Sequence, residues 1–157
     1  SLNPLAKNKV NFKCCIIGAG VQKNFLNNYI KSNNLNNFIK LIGYKKNAEN
    51  YLSCGNLFIL SSKFEGLPNV LIEAQSKNIP IISSDCPTGP REILLNGKLG
   101  DLFSVGNHKK LSKLIEKFKS NNKKLIEKSK LAKKNLIRFD LKTNCEKYLK
   151  IISKYQI

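Results

Sequence analysis

Short apolar runs of strand length alternate along this chain with stretches whose apolar residues recur at helical spacing. Asn11–Gly18 (NFKCCIIG) is an apolar run closed by Gly and predicts a buried strand. Val21–Asn34 follows with Val21, Phe25, Leu26, Tyr29 and Ile30, a helical pattern. Asn36–Gly43 predicts a second strand. Ala48–Cys54 predicts a short helix stopped by Gly55, and Asn56–Ser61 a third strand. Leu67–Lys77 predicts a helix with Pro68 in its first turn, where a missing N–H costs nothing. Ile79–Ser83 predicts a fourth strand, Pro90–Leu95 a short helix and Gly100–Val105 a fifth strand. Three helical stretches close the chain, at about 108–120, 122–137 and 141–154. Ser1–Val10 reads as the tail of an element that begins earlier.

This alternation predicts an α/β fold: parallel β-α-β units in a Rossmann-like, doubly wound sheet. Ligands of such sheets sit beyond the carboxyl ends of the strands. The loops to inspect are therefore Gly18–Lys23, Gly43–Lys46, Ser61–Leu67 and Ser84–Pro90.

Composition narrows the function classes. The formal charge is +18, and of 28 basic residues only Arg91 and Arg138 are arginine. Base-reading proteins rely on Arg forks, so nucleic acid is not expected as a partner. Abundant Lys, Asn and Ile match AT-rich coding, which accounts for part of the charge. An anionic membrane surface remains a candidate partner. No apolar run approaches the roughly 18 residues of a membrane span. The reading is of a soluble, cytoplasmic chain, with a peripheral place at the inner face of the plasma membrane left open. The five cysteines are odd in number and lack metal-ligand spacing, so reduced thiols are expected. The chain starts at Ser1 and contains no Met, and is read as a piece of a longer polypeptide.

The densest chemistry lies in SSKFEGLPNVLIE, Ser61–Glu73. A strand, a tight turn and a helix N-terminus present free backbone N–H groups and positive partial charge, a ready anion site. Gly66 allows close approach of backbone to ligand. Glu65 and Glu73 stand seven residues apart, before and inside the helix. Carboxylates suit neighbouring sugar hydroxyls, which donate to them. On spacing alone a second reading stands beside this one: Glu65 as a helix cap and Glu73 as a surface residue. Lys63 and Arg91 lie in the same loops and could meet phosphate or simply pair with an acid or water. Gly18-Ala19-Gly20 follows a strand, but a dinucleotide fingerprint would need Gly at position 23, which is Lys. His108, at a helix start, reads as a solvated residue.

The stretch FILSSKFEGLPNVLIEAQSKNIPIISSDCPTGPREIL resembles the donor-site segment of the retaining glycosyltransferases called group 1, or family 4. Glu65 and Glu73 match that family's Glu-x7-Glu. Asp85, Gly89, Pro90 and Glu92 match its following turn. FKCCIIGAG, KLIGY and LLNGKLGDLFSVGN resemble its flanking strands, with Asn107 where Asp is common, so the likeness covers nearly the whole chain. The resemblance implies the C-terminal half of a GT-B fold, without its first strand and helix, spanning 1–157. It implies hexosyl transfer with retained configuration, without metal or other cofactor. The donor is a nucleoside-diphosphate sugar, UDP-sugar favoured, and the acceptor a glycan or lipid-linked glycan of cell-surface polysaccharide or lipopolysaccharide. Glu65 would contact the transferred sugar as the catalytic-site carboxylate, and Glu73 the ribose. The N–H groups of Gly66, Leu67, Asn69 and Val70 would meet sugar or diphosphate. Gly43 and Tyr44 would flank the base, and Lys63 would lie near phosphate. The leaving phosphate would accept the acceptor's proton.

The family's opening strand, its Gly-Arg turn and nearby Lys, and its N-terminal acceptor domain have no counterpart in these residues. On its own the chain is therefore expected to bind donor weakly and transfer poorly. Two other classes stay open: a nucleotide-binding fragment without turnover, and a basic interaction domain for membrane or nucleic acid.

Overall fold

A computed structural model of the chain describes Leu2, Leu5, Ala6 and residues 11–155. The described strands are β1 (Cys14–Ile17), β2 (Ile39–Gly43), β3 (Phe58–Leu60), β4 (Ile81–Ser84) and β5 (Asp101–Phe103). Helices alternate with them: α1 (Lys23–Ser32), α2 (Ala48–Ser53), α3 (Asn69–Ser76) and α4 (Pro90–Ile93). Then come α5 (His108–Ser120), α6 (Lys123–Lys134), a 3-10 turn (Asn135–Phe139) and α7 (Leu141–Ile152). All ladders are parallel, as the alternation predicts.

The expected single sheet is described as two, ordered β1-β2 and β3-β4-β5. Between β2 and β3 the chain leaves one ladder and starts another. No described strand pairs with the outer edges of β1 or β3, so the ladders end there.

Strand β4 is buried along its whole length between β3 and β5. Successive side chains on a strand point to opposite faces. Ile81 accordingly joins Leu71 and Ala74 of α3 with Ile93 and Leu94. Ile82 joins Phe103, Leu111 and Ile115 of α5 with Leu125 of α6. Ala132, at the far end of α6, reaches the first cluster, so α6 ties the two together. Each such Leu or Ile stabilises by about 1.5–3 kcal/mol on burial, which makes β4 the firmest part of the scaffold that carries the loops.

The first sheet departs from the expectation of a buried strand. Cys15 and Ile16 of β1 are exposed, while Cys14 packs with Ile30, Leu35 and Ile39 in a small third cluster. One face of β1 is covered and the other is not, a distinction that an unbroken apolar run does not reveal. Burial raises the Cys14 thiol pKa, and the neighbouring Cys15 adds to the rise. That keeps Cys14 protonated and inert. All five cysteines are free thiols.

Two boundaries also move. The helix expected from Leu67 starts at Asn69, and Pro68 is its cap with ψ 89°, outside helical geometry. Proline disfavours helical φ/ψ in the residue before it, which excludes Leu67 from the helix. The stretch 122–137 is α6 followed by the tighter turn from Asn135, whose side chain donates to the Leu131 carbonyl. Of Ser1–Val10, Leu5 and Ala6 are helical and Leu5 is fully buried, in keeping with a helix tail; the other residues of that segment lie outside the described set. Among the described residues no helix is long and apolar enough to cross a membrane.

Candidate functional site

The carboxyl ends of β3 and β4 carry two loops that grip one another. The first, Ser61–Pro68, holds Lys63, Glu65, Gly66 and Leu67; the second, Asp85–Gly89, leads into α4. Ser84 Oγ, at the end of buried β4, donates to the Ser62 carbonyl at 2.7 Å. Thr88 Oγ1 donates to the Glu65 carbonyl. Gly89 has φ 85° and lies so close to the first loop that an added β-carbon would stand 2.2 Å from the Gly66 oxygen and 2.4 Å from Pro68 Cδ. Only glycine meets both demands.

The second loop is itself fixed. Arg91 Nε donates to Asp85 Oδ1 at 2.9 Å, and Arg91 Nη2 pairs with Asp85 Oδ2. This bidentate pair spans the turn from β4 into α4. It raises the Arg91 pKa, first through the hydrogen bond and then through the Asp85 charge. Of the two roles open to Arg91 from sequence, the structure shows ion pairing. Cys86 is buried, its Sγ 3.8 Å from the Thr88 carbonyl.

The sequence-predicted residues sort as follows. Glu65 is half-buried in its loop, whereas Gly66, Leu67 and Lys63 are exposed. Asn69 and Val70 are the first two residues of α3, whose opening N–H groups have no partner within the helix. Glu73 is exposed in the second turn of α3, beside Ala74 and Gln75, which are buried. A β-carbon on Gly66 would meet no protein atom within 4 Å. Packing within the protein therefore does not require glycine at that position.

Gly43 ends β2 with φ 74°, and its carbonyl accepts from the Gly18 N–H at 2.9 Å. A cavity of about 230 Å³ lies there, lined in part by Ile17, Gly18, Gly20, Lys23, Leu41 and Gly43. Tyr44 follows, 75% exposed. His108 is exposed at the start of α5. Asn107 does more than sit at the surface: its side chain caps α5, accepting from the Lys110 N–H at 2.9 Å. Among the described residues no group of three His, Cys, Asp or Glu is placed to hold a metal ion.

Sequence reasoning did not single out Ser84 or Thr88, the hydroxyls that bind the loops together. Their partners are 22 and 23 residues away. The one local signal was Gly89-Pro90, a turn followed by a helix start.

The family model described as "Glycosyl transferases group 1" matches residues 2–135. The chain belongs to the group 1 glycosyltransferases. Solved glycosyltransferase structures share its fold, the C-terminal half of a GT-B enzyme. An uncharacterized glycosyltransferase of Methanocaldococcus jannaschii is 51% identical over 84 residues, covering 54% of this chain and 21% of that protein. The N-acetylgalactosamine-N,N'-diacetylbacillosaminyl-diphospho-undecaprenol 4-alpha-N-acetylgalactosaminyltransferase of Campylobacter jejuni is 34% identical over 102 residues, 65% of this chain and 28% of that enzyme. A variant of TarM from S. aureus, in complex with fondaparinux, alpha-GlcNAc-glycerol and UDP, matches with a TM-score of 0.84 at 25% identity, covering 94% of this chain and 30% of that one. This group 1 glycosyltransferase chain thus spans about a fifth to a third of the length of these relatives.

Proposed function

We propose that this chain is the donor-binding part of a retaining glycosyltransferase that uses a nucleoside-diphosphate sugar, UDP-sugar favoured. Its acceptor would be a glycan or lipid-linked glycan in the synthesis of cell-surface polysaccharide or lipopolysaccharide. The observation that carries the reading is the braced loop Glu65–Pro68 ahead of α3, at the carboxyl end of the parallel strands. Free N–H groups and the helix dipole suit an anion there. Nothing in the protein's packing calls for glycine at Gly66, so the missing side chain is explained by a ligand lying against the backbone. UDP in the TarM complex supports the choice of nucleotide. The undecaprenol-linked substrate in the name of the Campylobacter enzyme supports a lipid-linked acceptor.

In this reading Glu73 accepts hydrogen bonds from the ribose hydroxyls and Glu65 from the sugar. The N–H groups of Gly66, Leu67, Asn69 and Val70 face sugar and diphosphate, while Gly43 and Tyr44 flank the base. Lys63 adds positive charge near phosphate. The charge that develops on the leaving diphosphate is stabilised by these fixed dipoles and by basic side chains, not by a metal. Bond breaking and capture of the acceptor occur on one face of the sugar, with the leaving phosphate taking the acceptor's proton. An N-terminal domain would supply the acceptor site, and this chain by itself would transfer poorly. The enzyme would work on the cytoplasmic side, peripheral to the membrane that holds its acceptor.

A thermal-shift titration with UDP, GDP, ADP and NAD tests the reading. Ligand at 100 times its dissociation constant stabilises by about 2.7 kcal/mol. The expected result is a shift with one nucleoside diphosphate, UDP first, and none with NAD. A shift with NAD alone contradicts the reading, as does none with any of the four once the titration is repeated on a chain extended by the family's opening strand and basic clamp.

A further inference from the structure

We propose that Thr88 and Gly89 are positioning residues that hold the Glu65–Gly66 backbone in register for the sugar end of the donor; this rests on the donor-site reading above. Glu65 and Gly66 lie in a loop outside any strand or helix, between β3 and α3. A loop of this kind holds one geometry only if something fixes it. The local hydrogen bond of the segment, from the Leu71 N–H to the Pro68 carbonyl, belongs to the helix start rather than to the loop. What fixes the loop comes from the next crossover.

Three contacts converge on it in chain order. The Ser62 carbonyl takes the Ser84 hydroxyl, the Glu65 carbonyl takes the Thr88 hydroxyl, and the Gly66 carbonyl rests on the Gly89 α-carbon. Two of the three fall on the residues assigned to the sugar. Using carbonyls for the brace has a further consequence. Each peptide plane is rigid, so tying the Glu65 carbonyl also sets the direction of the Gly66 N–H. The brace thus aims a donor group without covering it.

The brace is anchored at both ends. Ser84 terminates β4, which is buried along its whole length, and Asp85 and Arg91 pair across the turn that presents Thr88. Neither Thr88 nor Gly89 needs to touch a ligand for this role. Glu73, on α3, lies outside the braced segment, so the ribose contact is independent of it. Losing the brace should therefore weaken the sugar contact and spare the nucleotide.

The test uses the full chain with Thr88→Val, which keeps the shape and loses the hydroxyl, and Thr88→Ser, which restores it. Backbone NMR order parameters at the Gly66 and Leu67 amides are read beside calorimetric titrations of UDP and of UDP-N-acetylglucosamine. Thr88→Val is expected to lower the order parameters at the two amides from rigid values of about 0.85 to below about 0.6, with those of β4 unchanged. Affinity for UDP stays within about twofold, while the extra affinity contributed by the sugar falls about tenfold. Thr88→Ser restores both. Unchanged order parameters in Thr88→Val overturn the brace, whatever the donor. Should Thr88→Val fail to fold, Ser84→Ala, which removes the neighbouring contact, must lower the order parameters of Lys63 to Gly66 or the brace is wrong. Glu65→Ala separates the two layers of argument. If it weakens the sugar nucleotide while Thr88→Val does not, the brace alone falls. If both are without effect, the assignment of Glu65 to the sugar falls with it.

Discussion

Gly89 lies against Gly66 with no room for a side chain between them: a β-carbon on Gly89 would stand 2.2 Å from the Gly66 carbonyl oxygen. The relationship is one-sided. A β-carbon on Gly66 would meet nothing within 4 Å, and only Gly89 of the two has a positive φ.

The two glycines should therefore fail differently. Gly89→Ala meets both a steric clash with backbone and a left-handed φ, and should cost at least about 2 kcal/mol. In a domain of this size that is a fall in Tm of about 4 °C or more. Gly66→Ala should unfold within about 1 °C of wild type, because the added methyl group meets no protein atom. Differential scanning calorimetry of the two variants checks the contrast.

A second prediction concerns the pair that fastens α6 to β5. Lys128 Nζ lies 2.5 Å from Asp101 Oδ1 and 3.3 Å from the Gly100 carbonyl. The side chains are only 18% and 25% exposed, so this pair is less screened than a surface one. Lys128→Met leaves a half-buried carboxylate without its partner. The expected loss is about 1–2 kcal/mol in urea unfolding, with little change in the m-value.

Acid should loosen the last helix in a way traceable to one residue. Asp140 caps α7, accepting from the Thr143 N–H at 2.8 Å, and its pKa in the folded protein is lowered, first by the hydrogen bond from the Thr143 side chain and then by that backbone one. A depressed carboxylate pKa stabilises the fold above the unfolded value, near 3.9. The contribution is lost as pH falls through the folded value. Asp140→Asn keeps a capping oxygen and removes the titration. The protection factors of the α7 amides, followed downward from pH 5, should fall in the wild type and stay flatter in Asp140→Asn.

The alternation of elements was legible because β3, β4 and β5 are short apolar runs and α5 and α6 carry strong apolar stripes. The order of strands, helices and site loops followed from that alone. The Glu65–Glu73 segment was legible as a candidate site through its resemblance to the family's Glu-x7-Glu, since on spacing alone a helix cap and a surface residue read as well. Three things were not. Exposure on one side of β1 depends on what covers Cys15 and Ile16, which their own sequence does not encode. The start of α3 at Asn69 could have been read, since Pro68 forbids a helical Leu67. The Thr88–Glu65 and Ser84–Ser62 contacts join loops from different crossovers, and no local pattern announces them. Arg91 was open between phosphate and an ion pair until Asp85 was found beneath it.

The central claim is that Glu73, exposed on α3, holds the ribose of a nucleotide. Calorimetric titration of UDP into the wild-type full chain and into Glu73→Ala tests it most directly. Loss of charge-assisted hydrogen bonds should weaken binding by about 1–3 kcal/mol, roughly 5- to 150-fold in dissociation constant. Equal affinities for the two proteins would contradict the assignment.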